Sequence, residues 1–298
     1  MSRYLNANIL IFVEKLQINA FCMKRFLRYF GLFLFLAVLI HCCGVSKNRE
    51  LPAPDGNERI FTLATYNVGV FGKSGFNTTQ MVAGMIREMG AQAVSLNELD
   101  SMTVRHPAYQ IGDLSDALGG WNRWFAPAIP YQGGLYGVGI VSEPGLKVLG
   151  RRKLTLEKGD GSEQRALAVC EFEDFVFCST HLDHRSDEAR LAQARKVDRF
   201  LAENYGASGK PVILCGDFNA EPDSETLALM KENWTVLSPE GFTHSAKNPR
   251  KCIDYILVRK DTEGRVTLLD AAIPATFASG DVTVASDHLP VYVRIKID

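Results

Sequence analysis

Eight polar residues cut into otherwise apolar stretches of this chain: Asn67, Glu98, His181, Asp217, Asn219, Asp254, Asp287 and His288. A carboxylate that follows a hydrophobic strand is costly to desolvate unless it is paired or bound to a cation. Hard cations such as Mg²⁺ take one or two carboxylates and keep several waters, and Glu98, closing the run VSLNE, is the best single ligand of that kind. Asn67, after TLATY, either closes a turn or offers its carbonyl to a metal or an attacking water. His181, after VFCST, is either a satisfied structural histidine or a donor to a phosphoryl oxygen. Extended backbone sets it on the same side as Asp183, with Leu182 opposite.

The most telling stretch is VILCGDFNAEP. Asp217 and Asn219 are two residues apart, so both can face a cleft while Phe218 anchors in the core, and Gly216 lets the backbone turn. Asp254 lies inside IDYILV, where a buried carboxylate wants a cation, and His288 of SDHLPV is its natural partner. A carboxylate that holds an imidazole fixes its tautomer and raises its basicity. Asp287, beside it, then serves as base or as second metal ligand.

These residues need strands to hold them. Runs rich in Val, Ile, Phe and Tyr predict strands at 59–66, 92–97, 123–129, 136–142, 166–172, 175–180, 211–215, 253–258 and 291–297. Residues 166–180 read as a hairpin about Glu173 and Asp174. Helices are fewer. Asn77 to Gln80 resembles a capping box ahead of Met81, Met85 and Met89, with Gly90 as the stop. Residues 186–204 set Leu191, Ala194, Val197 and Leu201 on one helical face behind Ser186 as cap, and a shorter helix covers 223–233. No linker-like stretch interrupts 59–298, so the expectation is one α/β domain of two packed sheets with helices outside.

In order and spacing, TYNVG, LNELD, YGVGIVS, STHLDH, GDFNAEP, IDYILV and SDHLPV resemble the endonuclease/exonuclease/phosphatase superfamily over essentially all of 59–298. The resemblance implies a four-layer sandwich of two mixed β-sheets flanked by helices, with the site at strand ends between the sheets. It also implies a Mg²⁺-dependent phosphoric ester hydrolase, with Mn²⁺ as a substitute. Glu98 would be the principal ligand, with Asn67 and Asp287 close to the metal. Asp217 would handle a proton, Asn219 orient the nucleophile and His181 contact a phosphoryl oxygen, while His288, paired with Asp254, would stabilise the transition state or activate water. Tyr136 would approach the phosphate, and Arg185 and Arg190 either bind phosphate or serve the surface and packing. Two departures stand out. Some nucleases of the group carry an acid two residues after the first-strand Asn, where this chain has Gly69; Val138 and Gly139 replace polar residues found in some members.

Charge narrows the substrate. The formal net charge of −1 hides an asymmetry, because residues 49–298 hold 27 bases and 33 acids. An acidic body lacks the broad basic footprint of non-specific nucleic-acid binding. A small or lipid-linked phosphoester is therefore favoured over nucleic acid, with an exported nuclease as the alternative and an inactive binding module as a third reading. Residues 1–48 read as a targeting segment, with basic Lys24, Arg25 and Arg28 ahead of the apolar run from Tyr29 to Ile40. Cys42 or Cys43 invites lipidation, which places the protein in the periplasm or cell envelope, touching membrane through this segment alone. Residues 49–58 form a linker, and the catalytic domain is expected to be monomeric. Cys170, Cys178, Cys215 and Cys252 lack C-x-x-C spacing and read as buried thiols. Substrate choice is expected in a rim drawn from 100–122, 150–165 and 234–250.

Overall fold

The computed structural model describes residues 59–298. The expected targeting segment, with Cys42 and Cys43, and the linker at 49–58 lie outside the described residues. Strands β1 (Arg59–Asn67), β2 (Ala93–Ser101), β3 (Asn122–Tyr131), β4 (Gly134–Ser142), β11 (Val266–Ala272) and β12 (Val291–Ile297) form one sheet, in the order β11-β12-β1-β2-β4-β3. The second sheet holds β5 (Val148–Leu156), β6 (Arg165–Phe172), β7 (Val176–His181), β8 (Val212–Asp217), β9 (Trp234–Val236) and β10 (Asp254–Arg259), in the order β5-β6-β7-β8-β10-β9. Phe61, Leu63, Ile140, Phe177, Ile213 and Val293 belong to the core between them. Helices α1 (Thr79–Glu88) and α2 (Gln110–Ala117) cover the outer face of the first sheet through Val82, Ile86 and Leu114. Helices α3 (Asp187–Tyr205) and α4 (Glu225–Asn233) cover the second through Val197, Leu201 and Leu227. The result is the expected four-layer α/β sandwich. A strand covered on both faces has no reason to alternate, which is why β8 reads VILCGD and is buried throughout.

Strand direction collects the polar residues. Each sheet is mixed, with one parallel pair, β1 with β2 and β7 with β8. The carboxyl ends of β1, β7 and β8 carry Asn67, His181 and Asp217, and Asn97 with Glu98 stands mid-way along β2, where its pairing with β1 ends. Strands β10 and β12 run antiparallel to β8 and β1, so their amino ends lie at the same edge and deliver Asp254 and the His288 segment. Asn67 stands opposite Asn97, and Asp217 stands between His181 and Asp254.

Gly216 makes this register possible. It sits at φ 144°, and a Cβ there would lie 1.8 Å from the Thr180 carbonyl oxygen on the neighbouring strand. Gly216→Ala is therefore expected to destabilise the protein by about 3 kcal/mol or more, the range of a backbone clash with nowhere to relax. Urea denaturation checks this, and a midpoint within error of wild type would refute the packing argument.

Several elements differ from the sequence reading. The edge strand β5 carries Arg151, Arg152 and Lys153 and is mostly exposed or half-buried, so no apolar run announced it. An edge strand of the first sheet, β11, is likewise largely exposed, and α2 hides behind its internal Gly112. Part of the expected rim is thus regular structure. The start of α1 is not a capping box: Asn77 Oδ1 accepts from the Thr79 N–H at 2.8 Å, a tighter local turn. Ser186 does cap α3, its hydroxyl accepting from the Ala189 N–H at 3.1 Å. Among the described residues no helix is long and apolar enough to cross a membrane.

Candidate active site

All eight residues converge on one edge of the sandwich. Asn67 lies at the centre, its Nδ2 donating to Glu98 Oε1 at 3.3 Å and to Asp217 Oδ2 at 3.1 Å. A bulge between Leu96 and Leu99 interrupts the β2–β4 ladder and holds Glu98 at φ 58°. Asn219 is left-handed too, at φ 49°. Left-handed backbone in residues other than glycine is strained, and such strain clusters at working sites. Phe218, fully buried and edge-on to Tyr255, pins the turn that holds Asp217 and Asn219.

Asp217 is ringed by donors. His181 Nε2 stands 3.5 Å and His288 Nε2 3.6 Å from its Oδ2, while the Asn219 N–H donates to Oδ1 at 2.8 Å. Burial raises its pKa and the nearby Asp254 charge adds to the effect; against His288, the Asn219 amide and Asn67, the carboxyl is pushed up to about 7. His288 shifts for a different reason. Burial alone would lower its pKa, but the Asp254 charge and the 2.8 Å hydrogen bond from Nδ1 to Asp254 Oδ2 raise it to about 9, with help from Asp217 and Asp287. Asp254 Oδ1 has no hydrogen-bond partner, so His288 is the group that balances this buried charge. His181 moves the other way: burial, then the positive neighbours Arg165 and His288, push its pKa well down. Two acids, one raised to near neutrality, and two imidazoles driven apart are what acid–base chemistry near pH 7 requires.

The cavity over these groups holds about 240 Å³ and is lined by Glu98, His181, Asp217, Asn219, Asp287 and His288 together with residues not foreseen: Lys73, Glu163, Arg165, His184, His244 and Lys251. Tyr136 also lines it, as expected. Arg185 and Arg190 do not. Arg185 is exposed, and Arg190 is buried in the α3 start, its Nη1 donating to the Asp183 carbonyl at 2.6 Å and its Nη2 to Asp187. Asp183 accepts from Ser162, Arg185 and Ser186 and is therefore a loop anchor. Arg165 takes the position the other arginines were expected to fill. It opens β6, is 3 % exposed, and donates from Nη2 to His184 Nδ1 at 3.0 Å. Only its solitary charge at the head of an apolar run, RALAVC, marked it in the sequence.

Asn97 is the other residue the motifs concealed. Its Nδ2 donates to the Thr180 carbonyl at 2.9 Å and its Oδ1 accepts the Asp217 N–H at 2.9 Å, so one buried amide clamps the first sheet to the second. Beneath it, Thr65, Ser95 and Ser179 pass hydroxyl hydrogen bonds across the same gap. These bonds fix the distance between Glu98 on one sheet and Asp217 on the other.

The family model for the endonuclease/exonuclease/phosphatase family matches residues 64–288. The chain belongs to the endonuclease/exonuclease/phosphatase family. Members of this family hydrolyse phosphoesters and depend on a divalent metal. Solved structures agree on the fold. A family protein from Bacteroides vulgatus is 20% identical, covers 80% of this chain and 99% of its own, and superposes with a TM-score of 0.66. A mannosyl-6-phosphatase from Bacteroides thetaiotaomicron is 18% identical over 79% of this chain and 99% of its own, also at 0.66. The human Nocturnin catalytic domain, with bound sulfate, is 18% identical over 81% and 97%, at 0.61. No curated protein matches the chain.

In this family member the hard oxygen donors meet on a cation already. Glu98 Oε2 and Asp287 Oδ2 lie 3.2 and 2.7 Å from the Lys73 ammonium, so one side-chain cation bridges the two carboxylates. Among the described residues two groups bring metal-type donors within 4.8 Å of one another, His244 with Asp287 and His288, and Asp217 with Asp254 and His288, and Glu98 belongs to neither. The carboxylates of Glu98 and Asp287 are the donors a hard divalent cation takes, whereas Asn67, expected beside the metal, turns its nitrogen to Glu98 and its Oδ1 accepts from the Gly69 N–H at 3.1 Å.

Proposed function

We propose that this chain is a Mg²⁺-dependent hydrolase of a small or lipid-linked phosphoester. The convergence of the acid Glu98, the raised acid Asp217 and the Asp254–His288 pair on one compact cavity carries this reading. The cavity lining mixes three bases, Lys73, Arg165 and Lys251, and the cationic His288 with four acids, Glu98, Glu163, Asp217 and Asp287. Such a lining suits one phosphoryl group and a short neighbour better than a long polyanion, whose recognition rests on many basic contacts. That observation favours a small substrate over the nuclease alternative.

The roles follow from position. Glu98 and Asp287 would hold the ion, which when bound neutralises charge on a phosphoryl oxygen. Asp217 takes the proton of the attacking water or returns one to the leaving oxygen. Asn219, whose Nδ2 is committed to the Leu182 carbonyl at 3.1 Å, is held in place to orient the nucleophile with its other amide atom. His288, kept cationic by Asp254, faces the negative charge that builds up in the transition state, and neutral His181 donates a hydrogen bond to it. Tyr136 and Arg165 border the same space.

A panel of sugar phosphates, phosphodiesters, phospholipid headgroups and plasmid DNA, assayed in Mg²⁺ and again in EDTA, tests the reading. Turnover of a small phosphoester that EDTA abolishes and Mg²⁺ restores is expected. Turnover indifferent to the chelator would overturn the metal reading, and plasmid nicking that outcompetes every small ester would move the assignment to a nuclease.

A further inference from the structure

Lys73, one of the bases lining the cavity, holds the acids of the site. Its Nζ lies 2.8 and 2.7 Å from the two Asp287 oxygens and 3.2 Å from Glu98 Oε2, while the remaining Glu98 oxygen accepts from Asn67. The pair of carboxylates assigned to the divalent ion is thus occupied by a monovalent cation belonging to the chain. Residue 69 makes this possible. Gly69 sits at φ 52°, and a Cβ on it would meet Cδ, Cγ and Cε of Lys73 at 2.8 to 3.1 Å. The missing side chain at Gly69 leaves a corridor for the lysine stem.

We propose that Lys73 is an internal competitor for the divalent cation, an ammonium that occupies the carboxylate pair until the ion enters and displaces it. The inference rests on the metal-dependent reading above. The two positive centres exclude each other for simple reasons. Asp287 commits both oxygens to Lys73, a divalent ion would need the same oxygens at about 2.0–2.1 Å, and two cations that close repel. Departure is easy, because the Lys73 side chain is 37% exposed and also borders a neighbouring cavity of about 250 Å³ beside Ser74, Ser245 and Thr283. The metal-free site keeps its acids paired, at the expense of affinity for the ion. Linkage makes the effect reciprocal: whatever Lys73 takes from metal affinity, the metal takes from the Lys73 contacts.

Calorimetric titration of Mn²⁺ into metal-free wild type, Lys73→Met and Glu98→Gln is the test. Lys73→Met is expected to bind the ion about tenfold more tightly, within the usual range of coupled sites, and to melt at a lower temperature than wild type without metal. Glu98→Gln should lose binding. In a second measurement, acetylation of wild type followed by mass spectrometry should label Lys73 several-fold more in saturating Mg²⁺ than in EDTA. Equal or weaker binding by Lys73→Met, or labelling indifferent to the ion, overturns the competitor while Glu98-dependent binding leaves the metal reading standing. Absence of binding in both wild type and Lys73→Met sinks both.

Discussion

Asp217→Asn is expected to lower kcat by about 10²–10⁴-fold, the usual cost of removing a general acid or base, while leaving the fold intact. Asparagine keeps the shape and an acceptor for the Asn219 amide, so the loss reports proton handling and not collapse. The pH profile separates the roles further. As a base, Asp217 works when ionised, so wild-type kcat/KM should rise with pH through about 7, where burial and Asp254 have pushed this carboxyl. It should fall again above about 9 as His288 loses its proton. A bound divalent ion draws both values down, so the acidic limb belongs at or somewhat below 7 and the alkaline limb at or somewhat below 9. Initial rates from pH 5 to 10 on both proteins decide the matter. An Asp217→Asn variant that keeps the acidic limb, or that turns over like wild type, would remove Asp217 from the mechanism.

The second large effect is at His288, where turnover and stability fall together. His288→Ala should lose about 10²-fold or more in kcat and about 3–5 kcal/mol of stability, because Asp254 is left charged and unpaired in the core. The sign of the pH dependence is fixed by the raised imidazole. Its contribution to stability is fully present below the unfolded pKa of about 6.5 and is lost as pH rises through about 9. Thermal melts should show the gap between wild type and variant narrowing over that interval. The double variant Asp254→Asn/His288→Asn should regain much of the stability without regaining turnover. A gap that widens towards alkaline pH, or a double variant as unstable as the single one, would contradict an ion pair between these side chains.

The eight converging residues were legible because each interrupts or borders an apolar stretch, with Asn219, Asp287 and His288 lying just outside β8 and β12. A polar side chain at the end of VILC or inside IDYILV has few reasons to be there, and the strand pattern that exposed Asp217 and Asp254 also predicted the sheets around them. What stayed hidden was hidden for equally physical reasons. Lys73 lies in a short glycine-bearing loop where lysine is unremarkable, and its reach depends on the empty space above Gly69, which no pattern encodes. Arg165 looked like the border of a strand, whereas Arg185 and Arg190 stood closer to a motif and drew the phosphate role on proximity alone. Asn97 was masked by its neighbour Glu98. The edge strand β5 escaped because its exposed edge carries charge instead of an apolar run, a reason that does not hold for β11, whose VTLLDAA has one charge.

The left-handed backbone at Glu98 and Asn219 sets two demands on this protein against each other. At both positions glycine would relax the chain, and asparagine would do so in part at 98. Evolution in the laboratory for heat resistance alone would therefore drift towards erasing the side chains proposed to do the work, and would yield sturdier proteins with one of the two proposed carboxylate ligands gone. Any screen for hardier versions must ask for turnover in the same round.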